Sequence, residues 1–431
     1  MKQKINKEVE RIVRTVEKDQ SADGAWRYCL ASSITLDAYM IILLRTLKIN
    51  DEQLIDQLAD HIRSKQEENG AWKLFRDEDK GNLSTTIVAY YALLYTGKFA
   101  KDDPRMLAAK QFILSHGGVE NANFLTKVIL SVTGQYPWKH HQLMPIEFIL
   151  APTFFPYNFF DLSVYARVHL VPVLILQNLA FTTKTKWSPQ LTDLLLASER
   201  EVHPIPNNRF LFHSIIAEIK NLPNIPAEIK QIALRRCEQF MLERIEPDGS
   251  LYSYFTSTFL MIYAFIALGY EKDHPIIVNA INSLKANICS SDNDFYTQET
   301  DATIWNTALL SDAIQTAGLT TTSKIVERAN QYLLAKQQYK YGDWAIHNRN
   351  NKPGGWGFSD TNTVNPDIDD TTAALRAIKA MSKDNATYLN AWNRGIDWVL
   401  SMQNEDGGWP AFEKNTNKKC SRSYLLKEQH M

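Results

Sequence analysis

The chain has 431 residues, with 47 Lys and Arg against 48 Asp and Glu and a formal net charge of −1. That length suits two or three domains or one large repeat architecture, and 45% hydrophobic against 22% charged residues excludes disorder as the main state. The even charge balance argues against a nucleic-acid partner, which needs a basic face.

At the N-terminus, Met1-Lys2-Gln3-Lys4-Ile5-Asn6-Lys7-Glu8 is charged and lacks the apolar run of a signal peptide. The longest apolar stretch, 168–181, is cut by His169, Pro172, Gln177 and Asn178, so no bilayer span is expected. Cys29, Cys237, Cys289 and Cys420 lie far apart without zinc spacing. Neither a disulfide framework nor a zinc module is expected, and a reducing, cytoplasmic setting fits.

Apolar residues at helical spacing predict helices over 35–47, 85–95, 104–115, 230–244, 257–268, 275–287, 303–317, 323–336 and 371–381. Strand-like alternation is rare. Between these helices a unit recurs: Gln, three residues, Gly, one residue, Trp. It occurs at Gln20, Gly24 and Trp26, at Gln66, Gly70 and Trp72, at Gln338, Gly342 and Trp344, and at Gln403, Gly407 and Trp409. A worn copy runs Ile245-Glu246-Pro247-Asp248-Gly249-Ser250-Leu251. In each unit a helix ends at the Gln, the Gly turns the chain, and the Trp packs back. The Gln amide can then cap free backbone groups of a neighbouring helix. Helix pairs joined in this way predict an all-α toroid.

Two segments break the pattern. Residues 137–160 interleave Pro137, Pro145, Pro152 and Pro156 with aromatics, and 203–226 repeat the proline habit. Both read either as buried connections or as an apolar surface suited to a membrane face.

The sharpest chemistry is Asn365-Pro366-Asp367-Ile368-Asp369-Asp370-Thr371-Thr372, just before a helix. A calcium loop would need Gly at Thr372 and Glu at Ile378. Two readings stay open: a helix cap, or carboxylates close enough to resist joint ionisation, so that one is held as an acid. There is no Asp-Asp-x-x-Asp, and Asp102-Asp103-Pro104 reads as a turn into a helix, so magnesium chemistry is not supported. No cofactor and no metal are expected.

Together, the repeats and the acidic cluster resemble the squalene–hopene cyclase family, the class II triterpene cyclases. Further stretches agree: Lys352-Pro353-Gly354-Gly355-Trp356-Gly357-Phe358, Phe154-Phe155-Pro156-Tyr157-Asn158 with Tyr165-Ala166-Arg167, and Thr303-Ile304-Trp305-Asn306-Thr307-Ala308. The resemblance covers about residues 9–414. Its wording is closest to the bacterial tetraprenyl-β-curcumene cyclases (sporulenol synthases), through stretches such as Arg244-Ile245-Glu246-Pro247-Asp248-Gly249.

The resemblance implies a double α/α barrel lying on the membrane surface, with residues 1–33 and 301–414 in one barrel and 34–300 forming the other. It implies a linear or monocyclic polyprene, squalene or tetraprenyl-β-curcumene, as substrate. Asp369 falls on the family's proton donor, Asp367 and Asp370 on its flankers, and Phe358, Trp305 and Phe154 on aromatic positions near the substrate. An alkene is a very poor base, so such an acid needs desolvation and donors for its conjugate base, for which Thr371 and Thr372 are candidates. Aromatic faces then meet the carbocations, each contact contributing roughly 0.5–2 kcal/mol.

The sequence also departs from the family. Asn306 replaces a usual Asp, and the middle repeat has lost Gln and Trp. Residues 415–431 read as an unrelated polar tail, so the second barrel is expected to be incomplete. The chain is then expected to be inactive alone and prone to self-association, including homodimers. An isoprenoid- or partner-binding toroid without catalysis is the competing reading. A protein prenyltransferase β subunit is weaker, for want of a zinc triad.

Overall fold

The structure is a computed structural model that describes residues 2–141, 145–155, 158–196, 227–290 and 295–416. Among them are fourteen α-helices and one hairpin of two short strands. The chain divides into two compact units, Ala31–Glu299 (the middle unit) and Met1–Leu30 with Thr300–Asn417 (the split unit). The proline-rich segment 203–226 lies outside the described residues.

The middle unit holds α2 (Ile34–Leu47), α3 (Glu52–Ser64), α4 (Leu83–Tyr95), α5 (Pro104–Ser115), α6 (Phe124–Val132), α7 (Val164–Asn178), α8 (Ala227–Leu242), α9 (Phe255–Ala267) and α10 (Pro275–Ala286). Helices α2, α4 and α9 are apolar on every face and buried almost throughout, as inner helices must be. Helix α3 is amphipathic, burying Leu54, Ile55, Leu58, Ala59 and Ile62 on one side only. Side chains set the helix starts: Ser33, Asn82 and Asn123 each accept a backbone N–H from the first turn they cap.

The inner helices pack in succession. Helix α2 packs on α4, α4 on α6, α7 on α9, and α9 returns to α2. At that return Tyr39 stacks on Phe259 at 5.3 Å between centroids, and the Thr46 and Tyr263 hydroxyls are 2.5 Å apart. Strands β1 (Ile288–Ser290) and β2 (Phe295–Thr297) pair antiparallel, Ile288 opposite Thr297, and β2 packs on α2 and α3. The Thr297 N–H donates to Asp37 Oδ1 on α2 at 2.7 Å, and the other carboxylate oxygen lies 2.7 Å from His61 Nδ1 on α3.

The split unit holds α1 (Lys2–Asp19), α11 (Thr303–Thr316), α12 (Lys324–Ala335), α13 (Ile368–Ile378) and α14 (Ala386–Ser401). Helix α11 packs on α13, and each packs on the outer helix that follows it.

The repeats work by one rule in both units. Gln66 Nε2 donates to Gly70 O and to Arg105 O on the next outer helix, both at 3.0 Å. Trp72 N–H donates to the Thr86 hydroxyl of the next inner helix at 3.0 Å, and its indole N–H to Ile62 O at 2.7 Å. Gly70 has φ +85°, and a Cβ there would come within 2.4 Å of the Ala108 backbone, so only glycine lets the turn sit on α5. Gln20 bonds Gly24 O and Ile325 O, and Trp26 bonds Thr307 and Val16 O, in the same way. In the worn copy Leu251 N–H still donates to Thr258, at 2.8 Å.

The third repeat corrects the sequence reading. Gln337, rather than Gln338, donates to Gly354 O (2.7 Å) and Ala391 O (2.8 Å), and Trp356 bonds Thr371 and Leu333 O. An insertion therefore separates the Gln from its Gly and Trp. Gln338 instead bonds Asn362 O at 3.0 Å, and among the described residues the buried Trp344 indole nitrogen finds no partner. The cysteines are a second correction. Cys237 is free and buried, whereas Cys29 and Cys289 are each disulfide-bonded.

Candidate active site

Helix α13 starts at the acidic cluster because Asp367 caps it, accepting the Asp370 N–H on Oδ1 at 2.8 Å. The cap is anchored from behind. Asp367 N–H donates to Trp356 O at 3.1 Å, and the Thr371 hydroxyl accepts the Trp356 N–H at 2.9 Å. Both readings of the cluster therefore meet in Asp367, which is a cap and also a buried carboxyl.

The three carboxyl groups have different surroundings. Asp367 and Asp370 are buried, at 7% and 1% exposure, whereas Asp369 is exposed. Helical periodicity produces this split, since Asp369, Thr372, Arg376 and Lys379 form one exposed stripe. Burial pushes the Asp370 carboxyl well up, reinforced by its hydrogen bond to Asp367 and the charges of Asp367 and Asp369. Burial raises Asp367 as well, against the lowering effect of its bonds from Asp370. Both buried carboxyls are thus pushed towards their protonated forms. Among the described residues Asp370 Oδ1 has no hydrogen-bond partner.

The expected threonine donors do not serve the carboxylates. The Thr371 hydroxyl is engaged with Trp356, and that of Thr372 donates to Asp369 O of the backbone at 3.1 Å. Thr371 belongs to the repeat, which is why it stands where it does.

Trp305 and Phe358 come together, their rings stacked at 6.3 Å and 25°, with Trp305 N–H directed at Phe358 O at 3.4 Å. Because Trp356 ties to Asp367 and Phe358 to Trp305, the starts of α13 and α11 lie at one end of the split unit. Asp360 braces this segment. Burial alone would raise its carboxyl, but bonds from Lys336 and Tyr332 and the nearby Arg27 hold it below the usual value. Asn306 donates from Nδ2 to Tyr28 O at 2.9 Å, which a carboxylate could not do. Phe154 belongs to the middle unit, where it is 85% exposed beside the exposed Phe155, while Phe148 and Phe159 are buried. Among the described residues no group of acidic, His and Cys side chains could hold a metal, and no helix is long and apolar enough to cross a membrane.

Comparison with known proteins places these features in a family. The model of the squalene–hopene cyclase N-terminal domain matches residues 9–293, and that of the C-terminal domain matches 302–427. The chain belongs to the squalene–hopene cyclase family. The second match runs past 414 into the segment read as a polar tail. The chain is 36% identical to the sporulenol synthase of Bacillus subtilis over 97% of its own length and 66% of the relative's. It is 29% identical to a squalene–hopene cyclase of Zymomonas mobilis over 95% and 64% of the two lengths. It thus spans about two thirds of these relatives. A solved type II terpene cyclase, MstE from Scytonema, aligns with 93% of this chain and 79% of its own at 12% identity, but with a TM-score of 0.20, too low to support any inference.

Proposed function

We propose that this chain is the acid-bearing part of a class II terpene cyclase that starts ring closure by protonating an alkene of a C30–C35 polyprene. Asp369 is the donor in this reading. The observation that supports it is the division of the cluster: Asp369 is the exposed carboxyl, and its neighbours Asp367 and Asp370 are buried, which favours their protonated forms. Asp367 is committed to the cap and Asp370 is shut away from solvent, so a hydrocarbon can touch only Asp369. The start of α13 favours the carboxylate left after proton transfer. Trp305 and Phe358 offer π faces at the same end of the unit. Phe154 is the third aromatic of the proposed substrate path, the aromatic stretch 137–160 the proposed membrane-facing surface, and residues 34–300 the complete barrel.

The test is a chimaera of residues 1–414 with the remaining third of the Bacillus subtilis relative, given squalene and tetraprenyl-β-curcumene separately. We expect turnover by the chimaera, none by the 431-residue chain alone, and none by the Asp369→Asn chimaera, since an amide has no proton acidic enough to donate. Turnover that survives Asp369→Asn overturns the assignment.

A further inference from the structure

Two histidines of the middle unit face carboxylates, and they do so differently. His61 Nδ1 lies 2.7 Å from Asp37 Oδ2, a direct hydrogen bond. His169, on α7, stops short. Its Nε2 is buried, lies 3.9 Å from Glu299 Oε1 and has no hydrogen-bond partner among the described residues. The other ring nitrogen is committed. His169 Nδ1 lies 2.7 Å from Tyr165 O, and a carbonyl only accepts, so Nδ1 carries the hydrogen. In the neutral ring Nε2 is then a lone pair beside a carboxylate, acceptor against acceptor. Glu299 is held back from it by α9. The carboxylate caps that helix, Oε1 accepting the Thr256 N–H at 3.1 Å and Oε2 the Thr256 hydroxyl at 2.7 Å. Its backbone is fixed too, since Glu299 O accepts the Phe255 N–H at 2.7 Å.

We propose that His169 and Glu299 hold a water molecule between them, and that this water ends the cationic ring closure as an alcohol. Two acceptors 3.9 Å apart suit one water placed about 2.8 Å from each and giving each a hydrogen. The lone pairs of its oxygen are then left for an electrophile. The walls of the site are aromatic. The Tyr165 ring lies 4.3 Å from that of His169, the Tyr254 ring 5.9 Å, and the two phenols meet edge-on at 5.3 Å. Tyr165 is 47% exposed and marks the open side. The step rests on the acid reading given above. A lone pair of the water forms the C–O bond to the carbocation, one O–H bond breaks, and its proton passes to Nε2. The imidazolium so formed stands 3.9 Å from the Glu299 carboxylate, which stabilises it. Protons balance over the cycle: Asp369 gives one to the alkene, and His169 takes one from the water. His61 cannot act in this way through Nδ1, because that nitrogen is closed on Asp37.

Two measurements test the proposal. The first uses the full 431-residue chain and needs no reaction. With nitrogen-labelled histidine, and His169→Gln to assign the signals, magnetic resonance should show Nδ1 protonated and Nε2 bare. A crystal structure of the same chain should place a water within hydrogen-bond reach of both Nε2 and Glu299 Oε1. A hydrogen on Nε2 at neutral pH, or no water between the two atoms, overturns the site. The second uses the chimaera described above and reads the ratio of alcohol to alkene among its products. We expect Glu299→Gln and His169→Phe, each checked for native circular dichroism, to lower that ratio at least about tenfold, a modest share of what a general base contributes. Glu299→Gln keeps an oxygen for the Thr256 N–H, so the cap of α9 survives it. A merely structural loss would lower turnover without moving the ratio. An unchanged ratio, or an alkene as the parent's only product, overturns the step and leaves Asp369 as the donor. Absence of any turnover by the parent chimaera overturns the acid assignment and the step with it, and the Nε2 signal still decides the water site.

Discussion

In the middle unit the strand after the last outer helix returns to the first inner helix, and Thr297 finds Asp37 as Trp72 finds Thr86. In the split unit the same succession runs from α1 to α11 and α12, then to α13 and α14, and there the last loop meets no further helix among the described residues. The local sequence of the final repeat is as good as any other, so the difference lies in its neighbours. A Gln–Gly–Trp unit is half an interface. It folds on its own outer helix and leaves a backbone donor, an amide and an indole face for the next pair.

The comparison can be tested by making the same change on both sides of it. Trp72→Ala removes a fully buried indole with two hydrogen bonds, and unfolding in denaturant should show a loss of about 3–5 kcal/mol. Trp409→Ala should lose under about 1 kcal/mol. Equal losses would mean that the last repeat is as firmly seated as the second.

Gly70→Ala and Gly407→Ala both force alanine to φ +85°, which costs about 1–2 kcal/mol in either place. Only Gly70→Ala adds a clash with the α5 backbone, so its thermal midpoint should fall further, by the equivalent of about 1–3 kcal/mol. For the glutamines, Gln66→Ala breaks two bonds and should cost about 1–2 kcal/mol against about 0.5–1 for Gln403→Ala.

The smallest effect concerns pH. Asp370 is raised by burial, so the folded state binds its proton more tightly than the unfolded chain does. That stabilisation is full below the unfolded carboxyl value of about 3.9 and is lost as pH rises through the folded value. Asp370→Asn mimics the protonated form. Its stability, followed by denaturant titration across that window, should fall less with rising pH than that of the parent.

Much of this was legible in the sequence. The repeats predicted helix pairs because each turn carries its own glycine and its own indole. The reading failed where an element was interrupted. Pro172 sits inside α7, so an intact helix read as a broken apolar stretch. The insertion between Gln337 and Gly354 hid the third repeat, although the Gly-x-Trp spacing at 354–356 was there to be seen. In the acidic cluster, the exposure of Asp369 and the burial of Asp370 follow from a helical wheel. The engagement of Thr371 with Trp356 does not, because it depends on where the neighbouring loop falls.

The first repeat also determines the order in which the molecule can be assembled. Trp26 needs Thr307 as its acceptor, and Gln20 needs Ile325 O. At about 5–20 residues per second the ribosome takes roughly 15–60 s to advance the 281 positions from Trp26 to Thr307. Meanwhile Trp72 can meet Thr86, only 14 residues on, almost as soon as both emerge. The first helix to be made is therefore among the last to be seated. During that interval its apolar stripe of Ile5, Val9, Ile12 and Val16 is a sticky end on the nascent chain, a natural client for a holding chaperone.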